Sequence, residues 1–403
     1  MNILQFTSSY PRYSDDISGH FIHNLNIFLY KYINAIVLAP DSPNTKKYEI
    51  LNNIKIYRFQ YFFKKYQKLV YNDSILQNLN ENKILYFQVP LFLVFEVMKF
   101  LKIVYKENID IVHAHWIFPQ GFLAATLRKI FHLNFKLIIT SHGGDIYGLK
   151  NKYLKIIIRW ALNNSDFINP VSNPIKNEIL QMNIKKSIPI HVLSMGIETE
   201  KFYKEKENDY QNNQSELEKY ILFVGRLSEK KGVKYLIKAM PLIIEKYPQI
   251  KLLIIGDGKE KNRLKELRNK LNIKKNVIFL GNIRNNELFK YYSMAEMFIG
   301  PSIVTKYGDT EGLGLTFVEA MLCKCPVIGT RVGGISDVII HEKTGLLIDE
   351  RNPEQLANEA IRLLKDKNLR NKMTKNAKEF VEAKYSLKNV SRKYYKIYND
   401  MFL

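Results

Sequence analysis

Residues 300–330 read GPSIVTKYGDTEGLGLTFVEAMLCKCPVIGT, and no other stretch constrains the chain as much. The apolar run Met297, Phe298, Ile299 predicts a buried strand that Gly300 and Pro301 stop. A polar loop carrying Gly308, Gly312 and Gly314 follows, and residues 315–322 predict a helix. Strand, glycine loop and helix in that order aim backbone N–H groups and a helix dipole at an anion. Two carboxylates bracket the turn. Glu311 stands in the loop; Glu319 stands in the helix beside Phe317, Val318 and Ala320, where an acid needs a polar partner.

The pattern repeats along the chain. Apolar strands are predicted at 2–6, 35–39, 54–59 and 136–140, and at 110–116 with His113, His115 and Trp116 at the carboxyl end. Helical stretches alternate with them, which argues for parallel, doubly wound sheets. Gly19 sits where the first strand's loop meets its helix, and Ser141, His142, Gly143, Gly144 and Asp145 end a later strand. Open sheets of this kind place ligands at the carboxyl ends of their strands. Alternation points His113 into the core. Residues 199–219 are polar and Asn-rich and predict a linker, after which a second alternating domain begins at 220. Its first strand ends in Gly225-Arg226, and Lys230-Lys231-Gly232 follows, so that Arg226 and Lys231 could clamp a diphosphate. Asn282 and Ile283 follow a third strand of that domain.

With 403 residues, 46% hydrophobic and 25% charged, the chain suits two ordinary globular domains. Its two cysteines, Cys323 and Cys325, have no neighbouring His and read as small buried residues. The net charge of +22 is shared by both halves rather than packed into a tail, so a nucleic-acid-binding arm is not indicated and no nucleic acid partner is expected. Two readings of that charge stay open: attraction to anionic surfaces and diphosphates, or a Lys- and Asn-rich composition without function. Residues 61–70 alternate aromatic and basic side chains, which fits an interfacial anchor or packing on a neighbouring helix. Residues 86–105 contain Glu96, Lys99 and Lys102 and predict an amphipathic helix too charged to span a bilayer. The first residues lack a basic start, so no secretory signal is expected.

The string Glu311-x7-Glu319, preceded by Pro301-Ser302 and followed by Ala320-Met321 and Pro326-Val327-Ile328, resembles the signature of family-four retaining glycosyltransferases. Gly225-Arg226-Leu227 with Lys231-Gly232, and His142-Gly143-Gly144-Asp145, match two further segments of that family. The resemblance covers nearly the whole chain and is strongest over 220–349. It implies an α/β chain of the GT-B fold, two doubly wound Rossmann-like domains facing across a cleft. The expected domains are 1–198 for the acceptor, completed by a terminal helix at 385–403, and 220–384 for the nucleotide sugar. Glu319 would hold the ribose hydroxyls. Glu311 and the amides of Gly312, Leu313, Gly314 and Leu315 would meet the donor sugar and phosphates, and Asn282 and Ile283 the base. Arg226 and Lys231 would stabilise the leaving diphosphate, and His142 would contact the sugar or leaving oxygen. Gly19 would lie near the phosphates, although the family has two adjacent glycines there and this chain one. Asp145 and His115 would face the acceptor.

The implied activity is hexosyl transfer from a UDP-sugar, or a GDP-sugar, to a lipid-linked saccharide or oligosaccharide acceptor in surface polysaccharide or glycoconjugate assembly. No cofactor is expected beyond the nucleotide-sugar co-substrate. No metal is expected either, because no Asp-x-Asp occurs. The expected location is cytoplasmic, peripheral on the anionic inner face of the plasma membrane. A sugar-nucleotide epimerase of the same fold or a non-catalytic basic binding protein are the competing readings.

Overall fold

A computed structural model describes residues 1–13, 16, 18–71, 75–147, 152–200 and 219–403. They form two compact units. The first comprises Met1–Val171, Lys176–Gly196 and Leu387–Leu403; the second comprises Ser172–Ile175 and Ile197–Ser386. Apart from its ends, the expected linker lies outside the described residues.

The first unit is built on a seven-stranded sheet. Its strands are β1 (Asn2–Phe6), β2 (Asn34–Pro40), β3 (Tyr48–Leu51), β4 (Ile54–Phe59), β5 (Ile111–His115), β6 (Lys136–Ser141) and β7 (Phe167–Pro170). They lie in the order β3-β4-β2-β1-β5-β6-β7, all parallel except β3. The inner strands are buried on both faces and so read as near-continuous apolar runs. Strand β3, which the periodicity does not predict, is a half-exposed edge strand with no buried face to announce it. Its hairpin turn is carried by Asn52 and Asn53, both in the left-handed region at φ 51° and 63°, the residue type a two-residue turn of this hand takes.

The chain's last helix, Leu387–Phe402, closes this core. Leu387, Val390, Tyr394 and Tyr398 recur at helical spacing and all four are buried. The hydroxyl of Tyr394 accepts from Asn169 Nδ2 at 2.6 Å, and that of Tyr398 accepts from Gln5 Nε2 at 3.3 Å. The stretch Lys83–Lys106, whose most apolar 18-residue window has mean hydropathy 1.8, is long and apolar enough to cross a membrane by length and composition. The sequence predicts an amphipathic helix here instead, and the helix Gln88–Lys106 has one buried and one exposed face. Its acid is not on the surface: Glu96 is fully buried, accepts from Gln120 Nε2 at 2.9 Å, and is pushed up to about 8 by burial. Phe92, Phe100 and Ile103 share that buried face, so one side of the helix belongs to the first unit's interior.

The second unit carries six parallel strands, β8 (Tyr220–Val224), β9 (Lys251–Ile255), β10 (Val277–Gly281), β11 (Met297–Gly300), β12 (Val327–Thr330) and β13 (Leu346–Ile348), in the order β10-β9-β8-β11-β12-β13. Ile221, Phe223, Leu236, Met240, Ile254, Ile299 and Leu356 belong to its core. The helix Val233–Lys246 starts at Gly232, which has φ 64°. A side chain there would place its Cβ 1.9 Å from the Pro301 carbonyl oxygen. Gly232→Ala therefore meets both a left-handed backbone and a fixed carbonyl, and should cost about 2–4 kcal/mol. Gly144→Ala, where a Cβ meets nothing within 4 Å, should stay within about 0.5 kcal/mol. Urea midpoints of the two variants check the difference.

Candidate functional site

In the second unit the strand order reverses between β8 and β11: β9 and β10 lie to one side, β12 and β13 to the other. Loops leaving the carboxyl ends of strands at such a point diverge and leave a crevice for a ligand. The loop after β8 carries Arg226 and Lys231, and the loop after β11 carries Glu311. Hydrogen bonds stitch the two loops together. Ile303 N–H donates to the Lys230 carbonyl at 2.8 Å. Lys230 Nζ donates to Asp309 Oδ1 at 3.2 Å, and Lys231 Nζ to Glu311 Oε2 at 2.5 Å.

The Lys231 and Glu311 side chains are only 17% and 16% exposed. Burial alone would raise the Glu311 carboxyl. The charges of Lys231 and then Lys230 outweigh it, and the group is held below the usual glutamate range. Arg226 is exposed at the mouth of its loop.

The helix Leu315–Leu322 begins after Gly314, which caps it in the left-handed region at φ 92°. Gly334 N–H donates to the Glu311 carbonyl at 2.9 Å and fixes the preceding turn from the β12 side. Among the described residues no acceptor meets the amides of Gly312, Leu313, Gly314 and Leu315. One turn into the helix, Glu319 is half-buried and accepts from the Tyr292 hydroxyl at 2.9 Å. Burial pushes its carboxyl up to about 7, against the pull of that hydrogen bond and of Lys231. Tyr292 is the polar partner that the apolar neighbours of Glu319 demanded. It stands in a short helix, Leu288–Met294, and nothing in its own sequence context marks it. Asn282 is exposed and Ile283 half-buried just after β10, where Gly256 N–H donates to the Gly281 carbonyl at 2.7 Å.

The first unit has its own reversal, between β1 and β5. His142, half-buried after β6, lies against the rings of Trp116 and Phe21, each with its centroid 5.0 Å away. Its Nε2 is 3.2 Å from His115 Nδ1. His115 and Asp145 are not open to a ligand as the sequence reading placed them. Alternation along β5 puts His115 on the buried face with His113, where Gln5 Oε1 meets its Nε2 at 2.8 Å. Asp145 is spent on its own loop and the one after β5, accepting from Ser141 Oγ at 2.8 Å, Gly143 N–H at 3.1 Å and Ile117 N–H at 2.8 Å. Gly19 also has an internal reason: a Cβ there would lie 2.3 Å from the Ser9 carbonyl oxygen.

Two doubly wound units, the second with cations and open amides at its switch point, define an α/β protein of two Rossmann-like domains, and comparison with known proteins narrows this. Residues 204–380 match the model of the glycosyl transferases group 1, and residues 33–201 that of Glycosyltransferase Family 4. An uncharacterized glycosyltransferase of Methanocaldococcus jannaschii is 31% identical over 82% of this chain and 88% of its own length. The N-acetyl-alpha-D-glucosaminyl L-malate synthase of Bacillus anthracis is 29% identical over 82% of this chain and 85% of its own. Among solved structures, sucrose-phosphate synthase of Thermosynechococcus elongatus superposes with a TM-score of 0.80 at 23% identity, covering 100% of this chain and 99% of that one. Anabaena HepE in complex with UDP-glucose superposes at 0.71 and 16% identity, covering 99% and 100%. The chain belongs to the family-four glycosyltransferases, has their GT-B fold, and is a hexosyltransferase.

The Lys231–Glu311 pair carries a stability test. Lys231→Met strands a largely buried carboxylate, and Lys231→Met with Glu311→Gln removes both charges. The double variant should recover part of the loss, with a coupling of about 1–3 kcal/mol by denaturant titration. Because the folded-state pKa of Glu311 is depressed, the pair's contribution is present above the unfolded glutamate pKa and lost as pH falls through the folded one. The coupling should therefore shrink on acidification.

Proposed function

We propose that the chain transfers a hexosyl unit from a nucleotide-diphosphate sugar to a lipid-linked saccharide in surface polysaccharide or glycoconjugate assembly, with retention of anomeric configuration. The observation that carries this reading is the row of amides at 312–315 that no acceptor meets among the described residues, beside Lys231 at the second unit's switch point. Departure of a nucleoside diphosphate leaves negative charge on its β-phosphate, and preformed N–H donors and cations stabilise such charge without reorganising. Arg226, with its planar fork, and Lys231 supply the cations, so the reaction asks for no metal. Glu311 faces the positive charge that develops on the sugar ring. A diphosphate entering the site competes with Glu311 for Lys231. Glu319, set one turn into the helix, takes the ribose hydroxyls, and the backbone at Asn282 and Ile283 takes the base.

Two donors follow from the relatives. HepE was crystallised with UDP-glucose, and a GDP-mannose-dependent mannosyltransferase of Mycobacterium tuberculosis is 31% identical over 166 residues. We favour the UDP-sugar. Labelled UDP- and GDP-sugars separate the possibilities directly: transfer supports this reading, whereas epimerisation or binding alone would replace it. Retention shows in the anomeric coupling of the product. Glu319→Gln should weaken UDP binding by about 1.5–3 kcal/mol, the worth of a charge-assisted hydrogen bond. The wild-type carboxyl ionises near 7, and the charged form is the better acceptor for two hydroxyls. Affinity should therefore fall as pH drops below about 7, and the Gln variant should lack that slope. Equal calorimetric profiles for both proteins would remove Glu319 from the ribose.

The acceptor reading places the enzyme on the cytoplasmic face of an anionic membrane, and the helix Gln88–Lys106 supports it. Opposite its buried face, Phe87, Leu91, Val94, Met98 and Tyr105 form an exposed stripe, with Phe87 82% and Met98 60% exposed. Lys83, Lys99, Lys102 and Lys106 belong to the same stretch, and its single acid, Glu96, is inside. Apolar side chains among lysines, with no exposed acid, suit an anionic interface. Phe63 and Tyr66 are exposed as well, and Gln88 Nε2, at the start of this helix, donates to the Tyr66 carbonyl at 2.9 Å. Tyr61, by contrast, is fully buried, and Lys64 lies 3.5 Å from Asp41, so residues 61–70 divide between packing and exposure. The protein should cosediment with phosphatidylglycerol vesicles at low salt and leave them at high salt. Val94→Glu with Met98→Glu should release it without changing UDP affinity. Indifference to anionic lipid would make the charge compositional and a soluble acceptor the better reading.

A further inference from the structure

Beneath His142 lies a row of buried polar side chains that the donor site does not use. Gln5 on β1 and His113 and His115 on β5 are all fully buried. The two strands are paired with Gln5 opposite His113. Gln5 is held at both ends. Its Nε2 donates to the Tyr398 hydroxyl at 3.3 Å, and its Oε1 lies 2.8 Å from His115 Nε2. Tyr398 is placed in turn by His113, whose Nδ1 is 2.7 Å from the hydroxyl and whose Nε2 is 2.7 Å from Thr140 Oγ1.

Elementary hydrogen-bond chemistry then runs in one direction. An amide oxygen only accepts, so His115 must carry its proton on Nε2. A neutral imidazole has one N–H, which leaves His115 Nδ1 an acceptor. Its neighbour at 3.2 Å is His142 Nε2, which must therefore be the protonated nitrogen of that ring. Among the described residues, no hydrogen bond reaches His142 Nδ1. The rings are neutral as this chain of bonds requires: burial lowers His113 and His142 to about 3 and His115 well below its usual value.

We propose that Gln5, acting through His115, sets the tautomer of His142 so that its Nδ1 is a permanent hydrogen-bond acceptor for a sugar hydroxyl. Gln5 and His115 are positioning residues in this scheme, and His142 is the group that meets the sugar; the inference rests on the transferase reading above for the identity of that ligand. The arrangement is selective by chemistry. A hydroxyl can donate to Nδ1, whereas an ether oxygen, a carbonyl or a fluorine cannot. It is also insensitive to pH near neutrality, because none of the three rings titrates there.

The test reads the tautomer directly. The full-length chain is labelled with 15N-histidine, His142 is assigned by loss of its signals in His142→Phe, and long-range proton–nitrogen spectra are recorded at pH 7. Wild type should show His142 protonated on Nε2. Gln5→Glu, which keeps an oxygen acceptor, should preserve that pattern. Gln5→Leu should shift the His142 population towards the Nδ1–H form. With UDP-glucose as the probe donor, Gln5→Leu should lower kcat/KM about tenfold, the scale of one lost hydrogen bond, while Gln5→Glu stays near wild type. A wild-type His142 protonated on Nδ1 overturns the proposal, and that measurement needs no variant to fold. An unmoved His142 spectrum in a folded Gln5→Leu also overturns it, even if activity falls, since Gln5 would then be only a packing residue. The spectra need no substrate. The expected spectra without any transfer would count against the transferase reading and leave the tautomer control standing.

Discussion

One ion pair, Lys231 with Glu311, ties the second unit's switch point together. Strand order alone would let the β8 and β11 loops spread apart, because the strands beyond them lead in opposite directions. The pair draws the loop tips together, and the Ile303–Lys230 backbone bond and the absent side chain of Gly232 allow the close approach. Desolvating two charges is costly, so a pair this shielded adds little net stability. Its consequence is positional. A cation and a carboxylate are held beside a helix N-terminus whose amides meet no acceptor among the described residues, the preformed donors that the proposed diphosphate site needs.

The first unit solves a different problem with the same materials. A parallel sheet covered on both faces should hold apolar side chains only, yet Gln5, His113, His115, Thr140 and Asn169 are all fully buried in it. The C-terminal helix makes this tolerable. Tyr394 and Tyr398 are apolar in bulk and polar at the tip, so they fill the core and bring hydroxyls to Asn169, Gln5 and His113. The end of the chain thus satisfies the polar row laid down by its beginning, and His142 rests on that row.

Much of this was legible in the sequence. The doubly wound pattern, the helix Leu315–Leu322 and the need of Glu319 for a polar partner all follow from apolar periodicity and glycine placement. Such signals are local and survive without knowledge of the fold. What was not legible depends on contacts between distant segments. Strand β3 has no buried face, so alternation could not announce it, although the Asn52-Asn53 turn was a usable sign. Tyr292 lies 27 residues from Glu319, and Gln5 lies 110 from His115. His115 and Asp145 looked like ligand groups because they are polar at strand ends. Whether such a group faces outward or binds its own loop is decided by neighbours that no local pattern names. The stretch 86–105 was legible as an amphipathic helix, but not that its acid, Glu96, lies on the buried face.

The two glutamates that first drew attention differ in a way their spacing does not reveal. Both are shielded from water, and burial pushes both carboxyls upward. Glu311 has a lysine in direct contact and a second nearby, so its carboxyl is held below the usual glutamate range. Glu319 has a tyrosine hydroxyl, a dipole rather than a charge, and feels Lys231 only at a distance; its pKa settles near 7. Neighbouring acids whose environments drive them apart are suited to different tasks. A carboxylate whose pKa is held low is charged at neutral pH and can face a developing cation without changing state. One poised near neutrality binds hydroxyls best when ionised, and it is shifted towards that state by the ligand it holds. In the proposed reaction the first belongs at the sugar ring and the second at the ribose, and the difference between a lysine and a tyrosine as partner is enough to separate them.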